Sequence, residues 1–147
     1  TATTMNLGMM AWPPGRIRNS VQVNLNPVPD WDVRLDVGAT KLNCDLQAFR
    51  GRRLQVDAGA ASIHLTLGNR QTETTVDIDA GASSIVLRVP ASAGCDVHLD
   101  APMSSKKLPG FTREAEGRYV TDNFETAKQK VHIGVDAGVS SIKVERY

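Results

Sequence analysis

Apolar and polar residues alternate along most of the chain with a period of two, the pattern of strands buried on one face. The alternation starts at Val21, with Val21, Val23 and Leu25 facing one way and Gln22 and Asn24 the other. Pro27 and Pro29 break it, and it resumes at Trp31 with Val33, Leu35 and Val37 on one face. From there each stretch reads as strand, sharp bend at Gly, strand and polar loop, with loops at 48–52, 68–72 and 90–94. This phase predicts an inward set of Leu35, Leu42, Val56, Ile63, Leu65, Ile78, Ile85, Leu87, Val97, Leu99, Val135, Ile142 and Val144. Residues 1–20 are poorly patterned, and Trp12-Pro13-Pro14-Gly15 marks a turn. They are assigned to an N-terminal segment, the end of a preceding part.

The bends repeat. Asp36-Val37-Gly38, Asp57-Ala58-Gly59, Asp79-Ala80-Gly81 and Asp136-Ala137-Gly138 are each followed by small residues and an alternating apolar strand. Their glycines are 21, 22 and 57 residues apart. A period near 21 means that one supersecondary unit is stacked on itself, which predicts an all-β, single-stranded solenoid over residues 21–147. Gly at each bend has two explanations: a positive φ, or a neighbouring coil too close for a side chain. On either, Gly59→Val and Gly81→Val are both expected to destabilise. The long interval holds one more strand, Cys95–Leu99, and then a protruding segment, 101–130, which escapes the repeat. Within it Asp122-Asn123-Phe124-Glu125 has capping-box spacing, so the stretch through Lys130 is a short helix or a loop.

At 147 residues the chain is one domain long, and 17 basic against 16 acidic residues leave a net charge of +1. That excludes nucleic acid and anionic membrane surfaces as main partners. No apolar run is long enough to span a bilayer, so the fragment does not itself insert in a membrane. The opening at Thr1 reads as that of a fragment. Cys44 and Cys95 are in phase with inward residues at least two coils apart, beyond disulfide reach, and are read as buried free thiols.

The recurring polar residues each carry two readings. The Asp column of Asp36, Asp57, Asp79 and Asp136 either accepts backbone N–H groups of the corners at Gly38, Gly59, Gly81 and Gly138, or stacks carboxylates for calcium. One Asp per unit with apolar neighbours favours the turn role. His64, His98 and His132 sit at outward strand positions, where zinc would need a ligand motif that is lacking. Ser62, Ser83, Ser84, Ser140 and Ser141 recur at corners, which favours hydrogen-bonded turns over a nucleophile. Arg50-Gly51-Arg52-Arg53 and Lys106-Lys107 are solvated loops or anion grips. No catalytic, cofactor or metal residue is assigned. The segment outside the repeat supplies the candidate partner surface: Met103, Lys106, Lys107, Phe111, Tyr119 and Phe124. Its competing role is to cap the open end of the solenoid.

Val23-Asn24-Leu25-Asn26-Pro27, the repeated Asp-x-Gly units, Val89-Pro90, Gly110-Phe111, Tyr119 and the closing run Gly138–Val144 resemble the toastrack domains. These lie at the C-terminus of LiaF-like and related bacterial membrane proteins tied to cell-envelope stress responses. The resemblance covers about Val21–Tyr147 and implies a right-handed β-helix-like stack with a regulatory, sensing or scaffolding role and a protein partner. It also implies membrane attachment through segments outside this chain, with the cytoplasmic side favoured. It brings no catalytic residue. Competing classes are a carbohydrate-active β-helix enzyme or glycan-binding module, which needs a non-repeating cluster of carboxylates, and a purely structural spacer.

Overall fold

The computed structural model describes residues 2–9 and 26–147. Every regular element among them is a strand: β1 (Ala2–Met9), β2 (Asp30–Val37), β3 (Thr40–Leu46), β4 (Arg50–Ala58), β5 (Ala61–Leu67), β6 (Glu73–Val89), β7 (Gly94–Asp100), β8 (Ser105–Lys107), β9 (Thr112–Ala115), β10 (Arg118–Val120) and β11 (Lys130–Arg146). The chain is a parallel-rich, β-helix-like solenoid. One face is built from β1, β2, β4, the first halves of β6 and β11, and β7. The other is built from β3, β5, the second halves of β6 and β11, and β8. In β6 and β11 the two halves run through the corner as one strand of 17 residues.

Register superposes the predicted inward residues in columns. Leu35, Val56, Ile78, Val135 and Leu99 stand in line, as do Ile63, Ile85 and Ile142, and Leu65, Leu87 and Val144. All are buried in one continuous core. Burying each such side chain contributes about 1.5–3 kcal/mol, which the alternation repeats on every level. Leu42 is the exception: it is only half-buried, on β3, which among the described residues pairs with β5 alone.

Two expectations change, one alternative is decided, and one stretch lies outside the described residues. Residues 2–9, assigned to an unpatterned lead-in, form β1 in parallel register along β2. The turn at 12–15 and the strand at 21–25 lie outside the described residues. No helix follows Asp122; residues 122–126 are successive turns, with the N–H groups of Thr126 and Ala127 donating to the Asn123 carbonyl. The segment 101–130 does not protrude either. Its first part continues the solenoid as β8 beside β11, and β9 and β10 form a hairpin paired to β7 at the end of the sheet.

The order of levels also departs from the order of the chain. β11, the last strand, lies between β6 and β7. The register fixes which residues share a level. Asp136 pairs with Asp79 on one side and Asp100 on the other, and Ser141 with Ser84 and Ser105. This places Pro102 level with Gly138 and Met103 level with Val139. Proline has no N–H, so the bond that a corner glycine donates to the carbonyl of the preceding coil is missing at this level. The Gly138 carbonyl receives the Ser104 hydroxyl there, at 3.4 Å.

Candidate functional site

The corners are built by close approach of backbones. Among the described residues only Gly110 and Gly117 have positive φ, so the left-handed explanation fails for the corner glycines. A methyl on Gly81 would lie 2.9 Å from the Gly59 carbonyl oxygen, and one on Gly138 would lie 3.1 Å from that of Gly81. On Gly59 the nearest approach is an ordinary 3.7 Å, and on Gly38 nothing among the described residues lies within 4 Å.

The corner donors are bonded to the next coil. The Gly59 N–H donates to the Val37 carbonyl at 3.1 Å, and the N–H groups of Gly81 and Ala82 to the Gly59 carbonyl at 3.1 and 3.2 Å. The aspartates are therefore not the acceptors at these turns, because backbone stacking already satisfies the N–H groups. Asp36, Asp57, Asp79, Asp136 and a fifth member, Asp100, do form a column. Asp57 takes the Arg34 guanidinium at 3.3 Å; the other four are exposed, with no cation within 4 Å among the described residues. Nor do three His, Cys, Asp or Glu side chains among these residues converge as a metal-ligand set.

Serine hydroxyls tie the corners along the stack. The Ser83 Oγ accepts the Ala61 N–H at 3.3 Å, the Ser140 Oγ accepts the Ser83 N–H at 3.3 Å, and the Ser104 Oγ accepts the Ser140 N–H at 3.0 Å. Ser83 and Ser140 are buried, which suits a structural role. Ser140→Ala should leave the Ser83 N–H unpaired and cost about 1–3 kcal/mol, read as a lower denaturation midpoint; an unchanged midpoint would show the ladder to be incidental.

The remaining polar candidates also fall into lattice roles. Arg50 pairs with Asp30 at 2.7 Å, Arg52 grips Asp32 through two bonds of 3.1 and 2.8 Å, and Arg53 reaches Asp77 at 3.2 Å. His64 lies on the second face, away from His98 and His132 on the first. His98 Nε2 lies 3.3 Å from Asp96, and His132 Nε2 lies 3.6 Å from Glu73. Asp96 is buried, and Arg118 holds both its oxygens at 3.1 and 3.0 Å. Burial pushes its carboxyl up, but the Arg118 bonds and charge, with His98 and His132, outweigh this and keep it below the ordinary value. Both cysteines are free, with three levels between them. Burial raises each thiol to about 11, with the Asp45 charge adding at Cys44 and Arg146 offsetting part at Cys95.

The segment outside the repeat is divided by the structure. Phe111 and Tyr119 pack against the core, as an end cap does. Phe124 backs onto Gly94, with the Lys130 ammonium 4.5 Å from its ring centroid and His132 edge-on at 5.8 Å. Lys107 and Met103 are exposed. Lys106 and Tyr119 come together in an open groove of about 630 Å³ between the corner at Asp100–Pro102 and the β9–β10 hairpin. Sequence reasoning missed its charged members Asp100, Arg113 and Glu116, and did not place His98 there. A second groove, of about 370 Å³, opens where Gly134 leaves a gap between Asp77 and His98. The two meet at His98 and Asp100.

Among the described residues no helix is long and apolar enough to cross a membrane. No curated protein matches the chain. The structure is similar to a crystal structure of a putative cell adhesion protein from Clostridium sporogenes ATCC 15579, with a TM-score of 0.80 at 22% identity. The match covers 91% of this chain and 68% of that one, and at this identity it shows the shared fold. The family described as the N-terminal domain of toast_rack, DUF2154, matches residues 3–88, more than half of the chain and all of β2–β5. The chain thus belongs to the toast_rack family.

Proposed function

We propose that the chain is a non-catalytic interaction, sensing or scaffolding domain of a membrane-associated bacterial envelope protein, with the end groove as its contact site. One observation carries this reading: the 630 Å³ groove lies where the repeat stops, and its lining side chains include Lys106, Arg113, Asp100 and Glu116, which have no oppositely charged partner within 4 Å among the described residues. Elsewhere Arg50, Arg52, Arg53, Asp96 and the buried serines are bonded into the stack. The corner carboxylates recur on every level, so no pair is singled out as an acid and a base. The family and the adhesion protein of similar fold support an interaction role, and the resemblance to LiaF-like proteins supports the envelope setting. Rigid scaffolds bearing loop-built grooves are where binding concentrates.

The test is capture from detergent-solubilised membranes of the source organism on immobilised domain, wild type against Lys106→Ala with Arg113→Ala. Loss of specific captured proteins, with the thermal midpoint unchanged, is the expected result. An identical set captured by both would remove the groove from the contact surface.

A further inference from the structure

The end groove combines three features. Lys106 on β8 and Arg113 on β9 supply two positive charges, and Asp100 at the end of β7 and Glu116 in the β9–β10 turn supply two negative ones. None of the four has an oppositely charged side chain within 4 Å among the described residues. A ligand of one sign would satisfy half of them and desolvate the other half, at a cost.

The adjoining corner changes character at the same place. Along the stack the residue after the corner glycine is Ala39, Ala60 and Ala82, but on the last two levels Val139 follows Gly138 and Met103 follows Pro102. These two are 60% and 74% exposed. Two bulky apolar groups thus stand in water at adjacent levels next to the groove, where a covering surface would bury them.

We propose that the end groove is a self-association surface whose occupant is the same groove of a second copy of this chain, related by a two-fold axis. This rests on the reading of the groove as a contact site and names the partner. An isologous contact requires a patch complementary to itself. Equal numbers of unpaired cations and anions in one patch meet that requirement: Lys106 and Arg113 of each copy face Asp100 and Glu116 of the other, and Met103 and Val139 close the apolar edge. The chain's net charge of +1 leaves no long-range repulsion between copies. The ends of the stack meet, and the ladders continue away from the contact in both directions.

The experiment is sedimentation velocity across a concentration series up to about 1 mM, the weak end of specific affinity. Wild type is expected to dimerise. Lys106→Glu with Arg113→Glu should weaken the dimer by about tenfold or more, and so should Asp100→Lys with Glu116→Lys, because each sets like charges against each other. Mixing the two variants should restore a heterodimer. The milder Lys106→Gln with Arg113→Gln reports the same loss if either reversal unfolds. A wild type that stays monomeric, reversals that dimerise as before, or a mixture without heterodimer would each overturn the proposal. If the wild type is monomeric while Lys106→Ala with Arg113→Ala still loses membrane partners, self-association fails and the interaction reading stands.

Discussion

Gly81→Ala is expected to lower the stability of the domain by about 2 kcal/mol, while Gly38→Ala leaves it unchanged or slightly higher. The same motif surrounds both glycines, so local sequence gives no reason for a difference. The spacing between coils does. A methyl at Gly81 meets the Gly59 carbonyl oxygen at 2.9 Å, and that oxygen is backbone already engaged by the N–H groups of Gly81 and Ala82. It cannot move without breaking those bonds. A methyl at Gly38 has nothing within 4 Å among the described residues, and against these replacing glycine only reduces the freedom of the unfolded chain. Gly138 falls between, at 3.1 Å, and Gly59, at 3.7 Å, should behave like Gly38. Urea midpoints for the four alanine variants should rank Gly81 as most affected, then Gly138, then the other two. Equal losses at all four would refute the close-approach account.

The second large effect is at Asp96. Its side chain is 10% exposed and accepts two bonds from Arg118, which joins β10 to β7 and so fastens the hairpin onto the solenoid. Asp96→Asn removes the charge that both bonds depend on and should cost about 2 kcal/mol. The pH dependence follows from the lowered folded pKa. A carboxyl held below its unfolded value, ordinarily about 3.9, contributes stability that is complete above that value and lost as pH falls through the folded one. The wild-type midpoint should therefore drop on acidification below about pH 4 more steeply than that of Asp96→Asn. Parallel curves for the two proteins would show that the Arg118 contact does not support the hairpin.

The solenoid and its inward columns were legible because the pattern is written several times. Ile63, Ile85 and Ile142 follow the same small residues at the same distance from a corner glycine, and repetition of that kind survives without tertiary information. The fifth copy was hidden. Asp100-Ala101-Pro102-Met103-Ser104-Ser105 matches Asp136-Ala137-Gly138-Val139-Ser140-Ser141 at four of six positions, but proline stands in place of the corner glycine. A reading keyed to the Asp and the Ser pair would have found it. Closeness of match also carried a signal about neighbours. Residues 79–85 and 136–142 differ only at Ala82 and Val139, and these two stretches lie side by side. The groove was harder to see. Arg113 and Glu116 sit on a short hairpin with no periodicity, and only the fold brings them beside Lys106 and Asp100. One unit, taken alone, leaves its corner N–H groups unpaired and so points to the aspartates, whereas the stack pairs those of Gly59, Gly81 and Ala82 with backbone carbonyls.

The placement of β11 has a consequence for biosynthesis. A ribosome delivers β2 to β6 in the order in which they stack, so those levels can assemble as they emerge. β7 cannot join them in its final position, because the strand that belongs between it and β6 is made later. Until residues 130–146 are translated, β6 and β7 each present a strand edge that nothing in the nascent chain is meant to fill permanently. Unpaired edges of this kind are templates for pairing with other chains. The interval between synthesis of β7 and of β11 is therefore when this protein is most exposed to misassembly, and a message truncated within that interval would yield a product prone to aggregate.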